Sequence, residues 1–190
     1  MRKDEQLIED FVACFEILDE MRADGFDAPA MGLAVGEPDA YGHRRWKPIH
    51  VKADRACLGP IYAKIPSRFP PLFEYLVLSY RWAEVELGSF RLVANPPGPD
   101  LLGLFGEMTK DDFLSTHLLR SGFVPFGKGQ GADYDPVCFD LSARKQNGEY
   151  RIVKLDHEQI LCFSRIKVVA ELASTFRELV RLTIERARKV

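Results

Sequence analysis

The sequence predicts an α+β fold, in which an antiparallel β-sheet meander is flanked by N-terminal and C-terminal helices. Apolar residues recur with helical spacing at the beginning of the chain, short aromatic and β-branched segments follow in its second half, and helical spacing returns at the end. The chain has 190 residues, of which 46% are hydrophobic and 28% charged, and this size and composition are typical of one globular domain. We therefore predict a single domain over residues 1–190.

The first helix is predicted over residues 4–24, because apolar residues form one face and acidic residues fill the other. Gly25 follows the pattern and is expected to end the helix. The apolar face consists of Leu7, Ile8, Phe11, Val12, Phe15, Leu18 and Met21. Residues 27–50 contain too many glycines and prolines for a long element, so we expect a loop with short extended pieces there.

Three further elements are predicted before the meander. Residues 70–80 predict a helix that opens with prolines and buries its apolar face. Residues 89–94 predict a strand, because the proline cluster that follows cannot continue a ladder. Thr109 is expected to cap a short helix through a capping box with Asp112, and Gly122 is expected to stop it. The apolar side of this helix consists of Phe113, Leu118 and Leu119.

The meander itself is predicted from residues 123–126, 137–141 and 150–155, which are rich in aromatic and β-branched residues. Gln146-Asn147-Gly148 lies between the last two strands and predicts a hairpin turn with positive φ at both central residues. Helical spacing returns over residues 174–189, where Thr175 and Glu178 form a second capping box. The order of these elements places the sheet between an N-terminal and a C-terminal helical region.

Four cysteines, Cys14, Cys57, Cys138 and Cys162, are far apart and form no CxxC pair, so we predict neither a disulfide framework nor a zinc site. We expect them to be small buried groups, and we expect Cys138 and Cys162 to be chemically inert. No stretch approaches the roughly 20 apolar residues that cross a bilayer, and the chain opens with charged residues, which favours a cytoplasmic location without membrane contact.

The segment from 123 to 180 resembles the SUKH superfamily, which includes fungal cell-wall synthesis regulators and bacterial immunity proteins that neutralise toxins. The resemblance lies in the order of its pieces, which are the strand and glycine turn Phe123-Val124-Pro125-Phe126-Gly127, the acidic Asp133-Tyr134-Asp135, the strand over 136–141, the strand ending in Asp156-His157-Glu158, and the closing helix over 172–179. The proline-opened helix over 70–76 is similar to another piece of the family. The resemblance implies a SUKH-like core over residues 61–190, with residues 1–60 as a helical extension or an added layer.

Acid–base or metal chemistry is a further hypothesis. Asp156, His157 and Glu158 are the densest group of titratable residues, and Asp140 lies at the end of a neighbouring predicted strand. If the strand continued through 158, Asp156 and Glu158 would share one face and His157 would point to the other, which divides a catalytic set. This geometry argues against catalysis, and we predict neither a resident metal nor a cofactor. The alternative is a small metal-dependent hydrolase that uses His157 and nearby carboxylates.

Charge along the chain favours a protein partner. Residues 69–140 hold 5 basic and 10 acidic side chains, which suits a basic partner such as a nuclease toxin domain. The basic stretch 41–47 is expected to contact the acidic first helix, and the pI near 6.1 argues against direct nucleic-acid binding. We predict a non-enzymatic protein-binding module of the immunity type, with a regulatory scaffold of the same fold as an alternative and the oligomeric state left open. The predicted partner contacts are Asp133, Asp135, Asp140, Asp156 and Glu158.

Overall fold

A computed structural model describes residues 2–23, 32–143, 145 and 147–190. The helices are α1 (Arg2–Ala13), α2 (Phe15–Leu18), α3 (Gly59–Tyr62), α4 (Pro71–Ser79), α5 (Leu102–Met108), α6 (Asp112–Arg120), α7 (His157–Phe163) and α8 (Phe176–Ala187). The strands are β1 (Arg22–Ala23), β2 (Ala34–Val35), β3 (Arg44–Trp46), β4 (Ile49–His50), β5 (Tyr80–Arg81), β6 (Val85–Glu86), β7 (Arg91–Leu92), β8 (Phe123–Lys128), β9 (Pro136–Asp140), β10 (Arg151–Leu155) and β11 (Val168–Ala173). Two 3₁₀ turns cover Arg55–Leu58 and Leu141–Ala143.

The main sheet has six strands in the order β11-β10-β9-β8-β7-β6, and every neighbouring pair is antiparallel. Strands that follow each other in the chain are therefore neighbours in space, which confirms the predicted α+β fold with an antiparallel meander. Cys138 on β9 pairs with Pro125 on β8 and with Val153 on β10. Two small sheets, β1-β3-β2 and β4-β5, accompany the main sheet.

Helices cover both faces of the sheet. On one face, the stacked rings of Phe126 and Phe139, whose centroids are 4.2 Å apart, lie against Phe73 of α4 and Phe176 of α8. Phe11 of α1 packs edge-to-face on Phe176 in the same layer, so the first helix shares this core. The other face packs against α6 and α7 in a smaller cluster formed by Leu118, Cys138, Val153, Leu155 and Ile160.

The first helix is shorter than the prediction of residues 4–24. The chain leaves the helical conformation at Asp19, whose φ and ψ are −134° and 143°. The Asp19 carboxylate accepts hydrogen bonds from the backbone amides of Met21 and Glu86, at 2.8 and 2.7 Å. These two bonds favour a turn over another helical turn, and Met21 adopts a positive φ of 50° before β1. Gly25 lies outside the described residues.

Most of the predicted apolar face of this segment is buried nonetheless. The buried members are Ile8, Phe11, Val12, Phe15 and Met21. Helix α4 confirms the predicted helix over 70–80, whereas the strand predicted over 89–94 is reduced to β7. Helix α5 and strand β11 were not predicted.

The helix expected from Thr109 begins later and has a different cap. Asp111 is the N-cap of α6 and accepts a hydrogen bond from the Leu114 amide, whereas the Thr109 hydroxyl donates back to the Phe105 carbonyl of α5. Phe113, predicted on the apolar side, is 57% exposed. Gly122 follows the end of α6 with a positive φ of 81°, as expected.

The predicted turn before β10 is described only in part, because Gln146 lies outside the described residues. Gly148 has a positive φ of 77°, as expected, and the Lys145 amide donates to the Glu149 carbonyl at 2.8 Å across the turn. The Asn147 side chain accepts a hydrogen bond from the Glu149 amide. The cap of α8 is confirmed, because the Thr175 hydroxyl accepts the Glu178 amide at 3.0 Å. None of the helices in the described ranges has the length and apolar character needed to cross a membrane.

Candidate functional site

The candidate site lies at the end of the sheet where residues 129–135, here named the Tyr134 loop, connect β8 to β9. The pairing of Lys154 on β10 with Val137 on β9 brings the end of β10 and the start of α7 beside this loop. The sheet therefore gathers Asp133, Asp135, Asp156 and His157 from two distant parts of the sequence. Three of these four residues are predicted partner contacts.

Asp156 begins a helix, so the strand ends at Leu155, as its apolar pattern predicted, and the strand through 158 that the family resemblance implied is wrong. Its carboxylate accepts the Gln159 backbone amide at 3.0 Å and the Lys167 ammonium at 3.0 Å. The amide and the lysine lower the pKa of Asp156 below its ordinary value. His157 and Glu158 consequently occupy the first turn of α7 instead of opposite faces of a strand. The spacing of Asp156 and Gln159 was a helix-start signal in the sequence.

Asp135 fastens the Tyr134 loop to α7. Its Oδ1 atom accepts hydrogen bonds from the backbone amide of His157, at 2.9 Å, and from Nδ1 of the same residue, at 2.7 Å. The two side chains are 17% and 28% exposed. A paired carboxylate that is this well enclosed orients the imidazole ring and fixes one end of the loop.

Asp133 fastens the same loop to β10. Its carboxylate lies 2.8 Å from the Lys154 ammonium and accepts the Asp135 amide at 2.9 Å. Burial opposes ionisation, but these two hydrogen bonds outweigh it and lower the pKa of Asp133. The side chain folds back over Gly129, where an added Cβ would come within 2.1 Å of it, so the loop requires glycine at that position. Asp133 therefore acts within the fold as a tether.

Tyr134 stands between the two tethered aspartates and is 62% exposed. Its ring lies 6.3 Å from the His157 ring at an interplanar angle of 68°. Arg91 of β7 steadies the loop from beneath, because its guanidinium donates to the backbone carbonyls of Gly129 and Asp133. Tyr134 is not among the predicted contacts. The signal in the sequence was an aromatic residue between two acids in a glycine-rich turn.

A cleft of about 450 Å³ opens beside Tyr134, between the α5–α6 helices and the sheet. Its apolar wall consists of Val93, Met108, Leu114, Leu118, Pro125 and Pro136. Its polar and charged lining residues are Glu84, Glu107, Lys110, Asp111, Ser115, Lys128 and Tyr134. An apolar cleft with a few polar groups at its edge is the usual form of a binding site.

The charges at the edge of the cleft differ in how strongly they are paired. Glu84 is held between Lys128, at 2.7 Å, and Arg91, at 3.3 Å. Glu107 lies 3.7 Å from Lys110, whose side chain is 78% exposed. Asp111 caps α6 through one carboxylate oxygen, and its other oxygen makes no hydrogen bond to a described residue. The edge therefore offers two weakly compensated carboxylates, Glu107 and Asp111.

Asp140 and Glu158, the remaining predicted contacts, are placed differently. Asp140 is 1% exposed at the far end of β9, where its carboxylate binds Arg151 at 2.5 Å and Ser142 at 2.6 Å. Burial opposes ionisation, but the hydrogen bonds from Ser142 and Arg151 outweigh it and lower the pKa of Asp140. Its prediction as an accessible contact is corrected by this burial. Glu158 is exposed and forms no hydrogen bond or ion pair with the described residues.

The other residues singled out in the sequence have mixed outcomes. Cys138 is buried, and this burial raises the pKa of its thiol, as expected of an inert cysteine. Cys162 is exposed on α7, which corrects its predicted burial. Lys47 of the basic stretch binds Glu16 of α2 at 3.2 Å, so the predicted contact with the acidic segment is confirmed. Within the described ranges, no group of three or more His, Cys, Asp or Glu side chains is arranged to hold a metal.

Comparisons with protein-family models, with curated proteins and with solved structures give no match to this chain. The resemblance to the SUKH superfamily therefore stays a prediction.

Proposed function

We propose that this protein is a non-enzymatic binding module that holds a protein partner at the Tyr134 loop and the adjoining cleft. The partner class suggested by the SUKH resemblance is a basic toxin domain such as a nuclease, which the protein would neutralise in the cytoplasm. A regulatory scaffold would use the same surface for a different partner. The observation that carries the proposal is the exposure of Tyr134 between two aspartates that are bound to Lys154 and His157.

Exposed tyrosines are effective contact residues when their position is fixed before binding. Tyr134 meets this condition, because the residues on either side of it are tied to β10 and α7 through Lys154 and His157. Ordering a loop is part of the free-energy cost of association, and the hydrogen bonds of Asp133 and Asp135 offset part of that cost before the partner binds. Asp133 and Asp135 thus support binding by positioning the loop, and Tyr134 makes the direct contact with the partner.

The test is capture of a partner by the tagged protein from lysate of its own cells, with bound proteins identified by mass spectrometry and the strongest one then purified. We expect Tyr134→Ala to weaken its affinity at least tenfold, since central aromatic contacts commonly contribute 2 kcal/mol or more, roughly. The matched control is Tyr41→Ala, which removes an 85% exposed tyrosine outside the site. Equal affinity of wild type and Tyr134→Ala for the purified partner contradicts the proposal.

The Asp135–His157 pair favours a second candidate, a hydrolase in which the oriented imidazole acts as a general base. Such an enzyme needs a nucleophile or an activated water at Nε2, and among the described residues the His157 side chain hydrogen-bonds Asp135 alone. The test is hydrolysis of generic ester and phosphodiester substrates with and without added divalent metal. Activity that disappears in His157→Ala but persists in Tyr134→Ala would favour the hydrolase over the binding module.

A further inference from the structure

We propose that the cleft beside Tyr134 receives an arginine side chain from an extended segment of the partner. This inference rests on the proposed function, because it names the partner chemistry that the same surface accepts. It follows from the shape of the cleft, from the carboxylates at its edge and from the position of Tyr134.

The shape of the cleft suits a long side chain with an apolar stem. Leu114 of α6 is partly exposed in the cleft, and Met108 of α5 and Leu118 of α6 lie almost fully buried behind it. The methylene groups of arginine or lysine gain free energy by covering the exposed part of this apolar wall while their charged end stays at the edge. A short polar side chain would leave that exposed part in contact with water.

The carboxylates at the edge favour a cation. Glu107 and Asp111 both line the cleft, and each has a carboxylate oxygen available for a further hydrogen bond. The nearby Lys110 compensates them poorly, because its side chain is 78% exposed and its 3.7 Å contact with Glu107 is screened by water. Lys128 is bound to Glu84 at 2.7 Å and is therefore already paired. A guanidinium at the edge would add charge-assisted hydrogen bonds to both free oxygens.

Tyr134 favours arginine over lysine. The tyrosine lines the same cleft and is fixed by the Tyr134 loop, so its ring forms one side of the entrance. A planar guanidinium stacks on an aromatic ring and simultaneously donates to carboxylates in its own plane, whereas an ammonium does so less effectively. Arginine is also among the residues most enriched at the centres of protein interfaces.

The probe for this inference is the capped tripeptide acetyl-Gly-Arg-Gly-amide, titrated into ¹⁵N-labelled protein at low salt. We expect saturable chemical-shift changes at the backbone amides of Leu114, Ser115 and Gly127, with a Kd of roughly 1–10 mM, as suits one side chain. The lysine peptide should bind more weakly, and the isosteric uncharged citrulline peptide should not bind. The full chain is used throughout.

The decisive variant is Glu107→Gln combined with Asp111→Asn. Asparagine caps a helix as well as aspartate does, so α6 keeps its start while both carboxylate charges are lost. We expect the double variant to weaken binding of the arginine peptide about tenfold or more, because both anionic acceptors of the guanidinium are lost while the shape of the cleft is kept. The matched control is Asp112→Asn, which removes a neighbouring exposed charge that does not line the cleft.

Absence of saturable shifts at the cleft, an equal response to the citrulline peptide, or an unchanged Kd in the double variant would each overturn the arginine site. If the probe fails while Tyr134→Ala still abolishes capture of the partner, the proposed function stands and only this inference falls. If capture is insensitive to Tyr134→Ala while the peptide binds as expected, the arginine site exists and the proposed function is wrong.

Discussion

The two ends of β9 use the same residue type for opposite purposes. At one end Asp140 is 1% exposed and bound to Arg151 and Ser142, close to Tyr150, which is itself 1% exposed and hydrogen-bonded to Ser67. At the other end Asp133 and Asp135 are partly exposed and hold a loop whose tyrosine is 62% exposed. The ends are about 15 Å apart along one strand.

The contrast teaches that a carboxylate in an acidic sequence block is a poor indicator of a contact surface on its own. Four of the five predicted contacts, Asp133, Asp135, Asp140 and Asp156, are engaged in hydrogen bonds and ion pairs within the protein. At the Asp140 end these bonds stabilise the fold. At the Asp133 end they fix the position of a neighbouring side chain, which is the group left free to bind.

Tyr150→Ala should produce the largest loss of stability. The substitution removes a buried ring that lies 6.4 Å from Phe139 and leaves the Ser67 hydroxyl without its partner. Truncation of a large buried aromatic side chain typically costs about 3–5 kcal/mol. Urea denaturation followed by circular dichroism measures this loss. A change in the free energy of unfolding below about 1 kcal/mol would show that the packing around Tyr150 contributes little to the stability of the fold.

Asp140→Ala should cost about 1–2 kcal/mol, because it removes the acceptor of the Ser142 hydroxyl and the Arg151 guanidinium, while water reaches the exposed Ser142 and the 39% exposed Arg151. The matched control is Glu171→Gln, which removes the other carboxylate near Arg151, at 3.5 Å and 49% exposed. The control should change the free energy of unfolding by less than about 0.5 kcal/mol. Equal losses of unfolding free energy in Asp140→Ala and Glu171→Gln would mean that burial of Asp140 does not strengthen its ion pair with Arg151.

The loss caused by Asp140→Ala should shrink in acid. The folded-state pKa of Asp140 lies below its ordinary value of 3.8, so its contribution is complete well above that value and disappears as the pH falls through the lowered pKa. Burial raises the pKa of Glu149, which acts in the opposite direction, but this effect is common to both proteins and cancels in their difference. Urea denaturation from about pH 7 down to about pH 2.5 should show a constant gap above about pH 5 and a narrowing gap below about pH 4. If the stability difference between wild type and Asp140→Ala widened in acid, the pKa of Asp140 would not be lowered by folding.

Asp133→Asn should affect the loop far more than the whole fold. The Asp133–Lys154 pair is 34% and 24% exposed, so its loss should lower the free energy of unfolding by about 1 kcal/mol or less. Amide hydrogen exchange at Gly129, whose amide donates to the Asp135 carbonyl within the loop, should accelerate by roughly tenfold or less, in line with that energy. Glu185→Gln on α8 provides a control on a distant surface. Unchanged exchange in Asp133→Asn would mean that the Lys154 tether does not order the loop.

Sequence patterns predicted the parts of this fold that depend on local spacing. The strands around Phe126, Phe139 and Ile152 alternate or cluster apolar residues strongly enough to be recognised, and their turns are short. The end of β10 at Leu155 was predicted, but the start of α7 was missed because the family resemblance placed Asp156 at the end of that strand, although its spacing from Gln159 is that of a helix cap. Local patterns do not contain the hydrogen bond between Asp135 and His157, which are 22 residues apart.

Burial was the property that decided the candidate site, and it is a tertiary quantity. Asp140 and Asp133 belong to the same acidic block of the sequence, yet Asp140 is 1% exposed and paired with Arg151, whereas Asp133 is partly exposed in the Tyr134 loop and paired with Lys154. Tyr134 is exposed although aromatic residues are usually buried, and its two neighbours hold the loop in place, Asp133 by binding Lys154 of β10 and Asp135 by binding His157 of α7. Only the packing of β10 and α7 against the loop determines this outcome.

Tyr134→Ala should have the smallest effect on stability and the largest on binding. An exposed side chain without a hydrogen bond to the described residues can be truncated with a change of about 0.5 kcal/mol or less. Tyr150→Ala, at the opposite end of the sheet, removes the same side chain but should lower the free energy of unfolding by about 3–5 kcal/mol. The two variants therefore compare one residue type in two environments. Denaturation and partner affinity measured on both variants separate the two roles. A large loss of stability in Tyr134→Ala would mean that the ring is needed to build the loop, and the loop could then no longer be regarded as ordered independently of the residue it presents.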